Sequence, residues 1–172
     1  MLTVKISSLD DVPAIALLGR TTFAETFEHL FAGHADDLAT YLDATFAPAK
    51  IVSGMAKTSN FFWLAEWNDV PIGYAKLKLE SRHPLVAGAA TAQLQKIYVL
   101  RDHLNCGAGK ALQGAVLDHA RQVRCDQLWL TVLESNRRAI EFYLRTGWKF
   151  AAKDSHRIGA QAFTYDVLRL SL

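Results

Sequence analysis

Apolar residues recur along the chain with two periods, one typical of strands and one typical of helices. Residues 2–6 alternate between apolar and polar and are rich in β-branched side chains, which predicts a first strand. Ser8 follows as a plausible helix N-cap, and Pro13 lies just inside the helix that starts there. That helix places apolar residues at roughly helical spacing at Val12, Ile15, Ala16, Phe23 and Phe27.

The rest of the chain continues to alternate between the two periods. The pattern predicts one or two short helices within 35–57 with a break at Pro48, strands at 61–67 and 72–80, a loop at 82–90, a strand at 91–100, a helix at 107–123, a strand at 127–132, a helix at 135–146, and strands at 148–153 and 162–170. This order predicts one mixed α/β (α+β) domain over residues 1–172. Its sheet is mostly antiparallel, has about seven strands and is flanked by helices.

Length and composition narrow the class of protein. With 172 residues, 51% of them hydrophobic, the chain can bury one substantial core. No apolar run approaches the roughly 18 residues of a membrane span, and the N-terminus does not resemble a secretory signal. Two cysteines outside any metal or redox pair, and six histidines without a ligand-like spacing, predict no metal site. We therefore expect a cytoplasmic protein that does not bind a membrane.

Charge is unevenly distributed along the chain. The net charge of +2 argues against a dedicated nucleic-acid binder. Residues 1–80 contain six Lys/Arg and ten Asp/Glu, a balance of −4, whereas residues 81–172 contain thirteen and seven, a balance of +6. An acidic half and a basic half would suit a cationic substrate and a polyanionic cofactor, although uneven surface charge explains the same numbers.

A glycine-containing turn between a strand and a helix is the main candidate for ligand binding. The first N–H groups of a helix have no partner within the helix, and the helix dipole adds positive charge there. Gly107 and Gly109 lack a Cβ, so an anion can approach the main chain closely, and Lys110 adds a full charge. This arrangement predicts an anion site best suited to a pyrophosphate.

Two better-known glycine motifs do not match this turn. The dinucleotide-binding motif requires a third glycine where Leu112 stands. A P-loop requires glycine where Leu104 stands and Ser or Thr where Ala111 stands. A glycine-containing helix start without any ligand remains the structural alternative.

A second segment, residues 132–150, contains polar and aromatic residues at helical spacing. Asn136 and Tyr143 are two turns apart and share one face of the predicted helix, which Ser135 can cap. An amide and a phenol on one face can hydrogen-bond a long polar ligand. Alternatively, Phe142 and Tyr143 are core aromatics and Asn136 belongs to the helix cap.

Together the two segments resemble the GNAT superfamily of N-acetyltransferases. The turn is similar to its pyrophosphate motif, Gln/Arg-x-x-Gly-x-Gly/Ala, except that Leu104 replaces the first residue. The second segment is similar to Asn-x-x-Ala-x-x-Phe-Tyr-x-x-x-Gly-Phe, with Trp148 as the last aromatic. The resemblance implies acetyl-CoA as co-substrate, with cofactor contacts at Ile97, Tyr98, Val99, Leu104, Asn105, Cys106, Gly107, Ala108, Gly109, Lys110, Asn136, Ala139, Phe142 and Tyr143.

The resemblance also implies direct acetyl transfer to an amine. The N–H of Ile97 or its neighbour would polarise the thioester carbonyl, and Tyr143 would protonate the departing thiolate. Many GNAT enzymes place a Glu on the strand before the turn, but residues 93–96 here contain no carboxylate. Glu134, or a water relay to an N-terminal carboxylate, is the alternative base.

The acceptor amine is less well defined by the sequence. Residues 22–43 resemble the PaiA-like branch of spermidine/spermine N-acetyltransferases, which implies a polyamine substrate near Phe27, Glu25, Glu28 and Tyr41. Acetylation of a protein N-terminus, a lysine or another small amine is the rival activity. An acyl-CoA-sensing module without turnover is the rival of another class. A homodimer is common among similar proteins, and the sequence identifies no interface.

Overall fold

The computed structural model describes all residues, 1–172, and forms a seven-stranded sheet with helices on both faces. The strands are β1 (Leu2–Ile6), β2 (Asn60–Trp67), β3 (Val70–Lys78), β4 (Thr91–Val99), β5 (Gln127–Leu133), β6 (Lys149–Ile158) and β7 (Gln161–Ser171). The helices are α1 (Val12–Phe27), α2 (Ala35–Phe46), α3 (Pro48–Met55), α4 (Ala108–Gln122) and α5 (Arg137–Arg145). The predicted mixed α/β class is confirmed.

The sheet has the strand order β1-β2-β3-β4-β5-β7-β6 and is antiparallel except between β4 and β5. On one face α4 buries Leu112, Val116 and Ala120, spaced four residues apart, in the largest hydrophobic cluster. On the other face α1 buries Ile15 and Leu18 against strands β2 and β3. The sheet is therefore covered on both sides by apolar helix faces.

Strands β4 and β5 pair over only three residues. Their register runs from Thr91 opposite Gln127 to Gln93 opposite Trp129 and then ends. A register shift between β3 and β4 falls at the next positions, where Leu94 and Lys96 have partners on β3 and Gln95 has none. Such a bulge bends the strand that contains it. The second half of β4 consequently leaves β5, and the sheet is open between them.

The ends of several elements differ from the sequence prediction. Ser8 caps a short 3₁₀ turn, and α1 proper begins at Val12. Helix α5 begins at Arg137 with Asn136 as its N-cap, instead of Ser135, because the Asn136 side chain accepts a hydrogen bond from the Ala139 N–H at 3.2 Å. Strand β6 extends to Ile158 because main-chain pairing with β7 continues through a polar stretch that lacks apolar alternation.

The N-terminal helices and the β6–β7 hairpin meet beyond the open part of the sheet. The Phe31 and Phe163 rings lie 5.4 Å apart, and Asp37 accepts a hydrogen bond from the Ala160 N–H at 3.0 Å. A cluster around Phe23 and Phe46 packs against the same hairpin. These contacts close one end of the opening. None of the helices is both long and apolar enough to cross a membrane.

Leu112→Ala should lower the free energy of unfolding by about 2–5 kcal/mol, because the side chain is fully buried beneath the sheet and its removal leaves a cavity. Leu17→Ala is the control, since Leu17 is 67% exposed on α1 and its loss should change stability by less than about 0.5 kcal/mol. Urea unfolding of both variants measures the difference. Equal effects would contradict the assignment of Leu112 to the core.

Candidate active site

A cavity of about 750 Å³ occupies the opening between β4 and β5. Its lining comes from β4, the turn before α4, helix α5, the C-terminal half of α1 and the β6–β7 hairpin. A volume in this range is typical of small-molecule sites. The cavity brings together the two segments that the sequence singled out.

One wall of the cavity is the glycine turn at the start of α4. Gly107 is the N-cap and has a φ of +92°, a left-handed conformation that glycine adopts without steric cost. The hydrogen bond from the Ala111 N–H to the Gly107 carbonyl closes the first turn, so the N–H groups of Ala108, Gly109 and Lys110 have no partner within the helix. These donors, at the positive end of the helix dipole, suit a bound phosphate.

The free edge of β4 forms the second wall. The Leu100 N–H donates to the Ile72 carbonyl of β3 at 2.9 Å. Because N–H groups alternate in direction along a strand, those of Ile97 and Val99 point away from β3, to the side where β5 has separated. The cavity therefore contains main-chain donors that no neighbouring strand uses.

Tyr143, on α5, lies across the opening from this edge. Its ring packs against Phe142 and Trp148, with centroid separations of 5.3 and 5.7 Å. The side chain is 7% exposed and lines the cavity, and the structure gives its phenol oxygen no hydrogen-bond partner within the chain. Burial raises the pKa of Tyr143 well above its usual value near 10, so the phenol stays protonated at neutral pH and can donate a proton.

Positive charge dominates the lining. Glu25 is the single carboxylate there, and it accepts a hydrogen bond from the Arg101 N–H at 3.0 Å. Arg138 extends from the start of α5 and donates to the Asn105 side chain of the turn at 3.0 Å. The Lys and Arg residues that line the cavity are Lys96, Arg101, Lys110, Arg138, Arg145 and Arg157. The excess of cations favours a polyanionic ligand.

The opposite end of the cavity is aromatic. It is closed by α1, the segment after it and the β6–β7 hairpin, and Phe23 packs 4.7 Å from both Phe27 and Tyr41. Tyr165 lines this end as well, and burial raises its pKa to about 12. The aromatic lining residues are Phe23, Phe27, Phe31, Tyr41, Tyr98, Phe163 and Tyr165.

Most residues predicted to contact a cofactor reach this cavity. Cys106 and Ala108 do not line it, and Ala108 is buried beneath the turn, so both could contribute through the main chain alone. Asn136 lines the cavity, but its side-chain oxygen is already used in capping α5. The predicted residues in the lining are Ile97, Tyr98, Val99, Leu104, Asn105, Gly107, Gly109, Lys110, Asn136, Ala139, Phe142 and Tyr143.

The predicted acceptor residues and bases are less well grouped. Phe27, Glu25 and Tyr41 line the cavity, whereas Glu28 lies outside it at the end of α1. Glu134 also lies outside the cavity, where the Lys153 ammonium bonds its carboxylate at 2.7 Å.

Sequence reasoning missed several charged groups in the cavity, including Lys96, Arg138 and Arg157. Lys96 is the single charged residue of strand β4, and that position was a usable signal in the sequence. No feature of the sequence pointed to Arg138 as a site residue, because basic residues are common in the first turn of a surface helix. Its role becomes visible only when the fold places the glycine turn beside it. His, Cys, Asp and Glu form no group of three or more that could hold a metal ion.

Comparison with protein families identifies the chain. The profile of the acetyltransferase (GNAT) family matches residues 22–148, which is well over half of the sequence. The chain belongs to the GNAT family. It is therefore an acyltransferase, and the matched region includes both the glycine turn and the helix with Tyr143. The resemblance predicted from the two motifs is confirmed.

Individual relatives of this GNAT enzyme are distant. An uncharacterized N-acetyltransferase in the pepI 3′ region of Lactobacillus delbrueckii subsp. lactis is 28% identical over 137 residues, covering 80% of this chain and 78% of that protein. Among solved structures, the PaiA N-acetyltransferase of Thermoplasma acidophilum in complex with coenzyme A is 15% identical, with a TM-score of 0.78 over 100% of this chain and 99% of that one. The ribosomal-protein-S18-alanine N-acetyltransferase of Escherichia coli is 18% identical, with a TM-score of 0.72 over 99% and 94%. These likenesses agree on the fold.

Proposed function

We propose that this GNAT enzyme transfers the acetyl group of acetyl-CoA directly to a primary amine. One observation carries the proposal: unpaired main-chain donors at the start of α4, the free edge of β4 and the Tyr143 phenol all open into one cavity. The structural neighbour from Thermoplasma acidophilum is a complex with coenzyme A, which supports this ligand.

The turn before α4 suits the pyrophosphate of the co-substrate. Gly109 presents its main chain to the cavity, and a Cβ added there would lie 3.8 Å from the Phe142 ring, at ordinary contact distance. The N–H groups of Ala108, Gly109 and Lys110 would donate to phosphate oxygens, with Lys110 and Arg138 adding charge. Arg138 would supply a side-chain donor in place of the one that Leu104 removes from the motif.

Acetyl-CoA supplies an activated acyl group as a thioester. The N–H of Ile97 would bond the thioester carbonyl oxygen and stabilise the charge that develops on it. In the overall transfer a bond forms between the amine nitrogen and the acetyl carbon, and the carbon–sulfur bond breaks. The Tyr143 phenol would protonate the leaving sulfur, and the proton lost from the nitrogen would pass to solvent.

The polyamine acceptor predicted from the N-terminal carboxylates remains one candidate, and a peptide amine is another. Glu25 is the predicted carboxylate that lines the cavity, and its bond to the Arg101 N–H places it at the rim shared by α1 and β4. It is also the single carboxylate in the lining, and it is therefore our candidate for relaying a proton through water. A single carboxylate gives a polyamine one anionic partner.

Incubation with acetyl-CoA and a panel of amines tests the proposal, with release of free thiol as the readout. We expect thiol release that depends on an added amine, together with an increase of about 42 Da in the mass of that amine. The panel should include spermidine, a peptide with a free N-terminus, and amino acids. Tight binding of coenzyme A without release from any amine would instead identify an acyl-CoA-sensing module.

A further inference from the structure

The acceptor end of the cavity contains cations that the co-substrate does not account for. Lys110 and Arg138 lie at the starts of α4 and α5, beside the proposed phosphate site, and Arg145, at the end of α5, pairs with Glu141 at 3.7 Å. Arg101 makes two hydrogen bonds to Glu25. The Arg101 guanidinium donates to the Glu25 main-chain carbonyl, and the Arg101 N–H donates to the Glu25 carboxylate. Lys96 on β4 and Arg157 on β6 remain, on the two strands that flank the aromatic end.

Lys96 has no anionic partner in the protein. Its ammonium lies 4.8 Å from the Phe46 ring centroid and 5.7 Å from that of Tyr98, and it makes no hydrogen bond or salt bridge. Burial, together with the neighbouring Lys76, lowers the pKa of Lys96 to about 8. Aromatic faces stabilise such a cation only partly, and a carboxylate entering the cavity would stabilise it more strongly.

Arg157 approaches the cavity from the hairpin. Its guanidinium donates to the Ala160 carbonyl at 2.6 Å, which holds it at the tip of β6, and no carboxylate forms a salt bridge with it. Its neighbour His156 also lines the cavity and lies 3.5 Å from Asp154, which pairs with His83 as well. The guanidinium keeps further donors for a ligand.

The acidic residues of the N-terminal helices do not offset these cations. Glu28, Asp36 and Asp37 lie outside the cavity lining, and Asp37 accepts a hydrogen bond from the Ala160 N–H at 3.0 Å. An oligocation would therefore meet Lys96 and Arg157 in the aromatic end, with Glu25 as its one partner. Like charges in a partly desolvated site repel.

We propose, building on the function proposed above, that the acceptor is a primary amine that carries a carboxylate and an apolar side chain, as a hydrophobic amino acid does. Lys96 and Arg157 bind the carboxylate. Phe23, Phe27 and Phe163 contact the apolar side chain. The transfer step is the one given above, and the carboxylate takes part in recognition without being consumed.

Matched amines with and without a carboxylate test this assignment. L-phenylalanine is compared with 2-phenylethylamine, and L-leucine with 3-methylbutylamine, with spermidine alongside. Each pair differs by the carboxylate, so the ratio of kcat/KM within a pair isolates its recognition. A charge-assisted contact predicts a ratio of about 10 or more in favour of the amino acid.

Lys96→Met should lower both ratios severalfold while the carboxylate-free amines keep their kcat/KM, and Arg157 should account for the carboxylate preference that remains. Lys76→Met is the matched control, because Lys76 lies directly opposite Lys96 on β3, shares its lowered pKa of about 8 and does not line the cavity. That variant should keep the wild-type ratios. If Lys96→Met slows both members of a pair equally, Lys96 serves structure or proton transfer and the assignment is wrong.

Calorimetry in the presence of coenzyme A provides a readout that does not need turnover. N-acetyl-L-phenylalanine should bind at least about tenfold more tightly than N-acetyl-2-phenylethylamine, and Lys96→Met should reduce that difference severalfold. Preferred acetylation of spermidine, or ratios of 1 or below, would overturn the acceptor class and leave the transferase proposal intact. Thiol release from no amine would overturn the transferase proposal, whereas a carboxylate preference in calorimetry would still support the acceptor assignment.

Discussion

Gly109→Asp is expected to weaken binding of coenzyme A by about 100-fold or more. The new carboxylate would stand among the N–H groups that are proposed to hold the pyrophosphate, and two like charges about 4 Å apart at a protein surface repel by several kcal/mol. A loss of about 3 kcal/mol corresponds to roughly a 100-fold change in the dissociation constant. Isothermal titration calorimetry of the wild type and of Gly109→Asp with coenzyme A measures the two dissociation constants.

Two further variants separate charge at the site from damage to the helix. Gly114→Asp places the same charge on α4, about 1.4 turns closer to its middle, where a Cβ meets nothing within 4 Å. Its affinity for coenzyme A should stay within about threefold of wild type. Gly109→Ala adds only a methyl group at ordinary contact distance from Phe142 and should lose much less affinity than Gly109→Asp. Unchanged binding in Gly109→Asp would remove the basis for a pyrophosphate site at this turn.

Tyr143→Phe is expected to lower kcat by about 100-fold while the affinity for coenzyme A stays near normal. A positioned general acid typically contributes a factor of this size or greater, and phenylalanine keeps the ring that packs against Trp148. Because burial holds the phenol in its protonated form, the wild-type acid should not be lost as the pH rises from 7 to 9. Steady-state kinetics measures the loss of kcat, and titration with coenzyme A measures whether the affinity is unchanged.

Tyr165→Phe is the matched control, since Tyr165 also lines the cavity and also has a raised pKa. It should leave kcat within a few-fold of wild type, because the residue lies at the aromatic end, away from α4. If Tyr143→Phe reduces affinity and turnover together, Tyr143 is structural. If Tyr165→Phe is the variant that loses turnover, the proton donor has been assigned to the wrong tyrosine.

Local signals in the sequence predicted the elements well, because each strand and helix repeats its own apolar period. The glycine turn could be recognised because the left-handed backbone at Gly107 favours a residue without a Cβ, and because a second glycine follows at 109, where the main chain faces the cavity. Boundaries were less accurate where main-chain pairing, not side-chain pattern, decides the end of an element. The extension of β6 through residues 154–158 is such a case.

The functional site depended more on tertiary structure than on local pattern. The sequence placed Gly109 and Tyr143 on separate helices, and the separation of β4 from β5 beyond Gln93 is what lets both face one cavity. Strand divergence arises from pairing partners and a bulge, neither of which the sequence of one strand reveals.

The sequence by itself determined a mostly antiparallel sheet flanked by helices, and it predicted an anion site at a helix start with a phenol on the next helix. Only the tertiary structure decided which charges line the same cavity, because Lys96 and Arg157 are 61 positions apart in the chain and lie on β4 and β6, between which the sheet places β5 and β7. The same folding leaves Glu28 and Asp36 outside the cavity. The physical reason is that the local apolar period of a helix or strand fixes which of its faces is buried. The electrostatic potential inside a cavity, in contrast, is the sum over charges on elements that are distant in the chain.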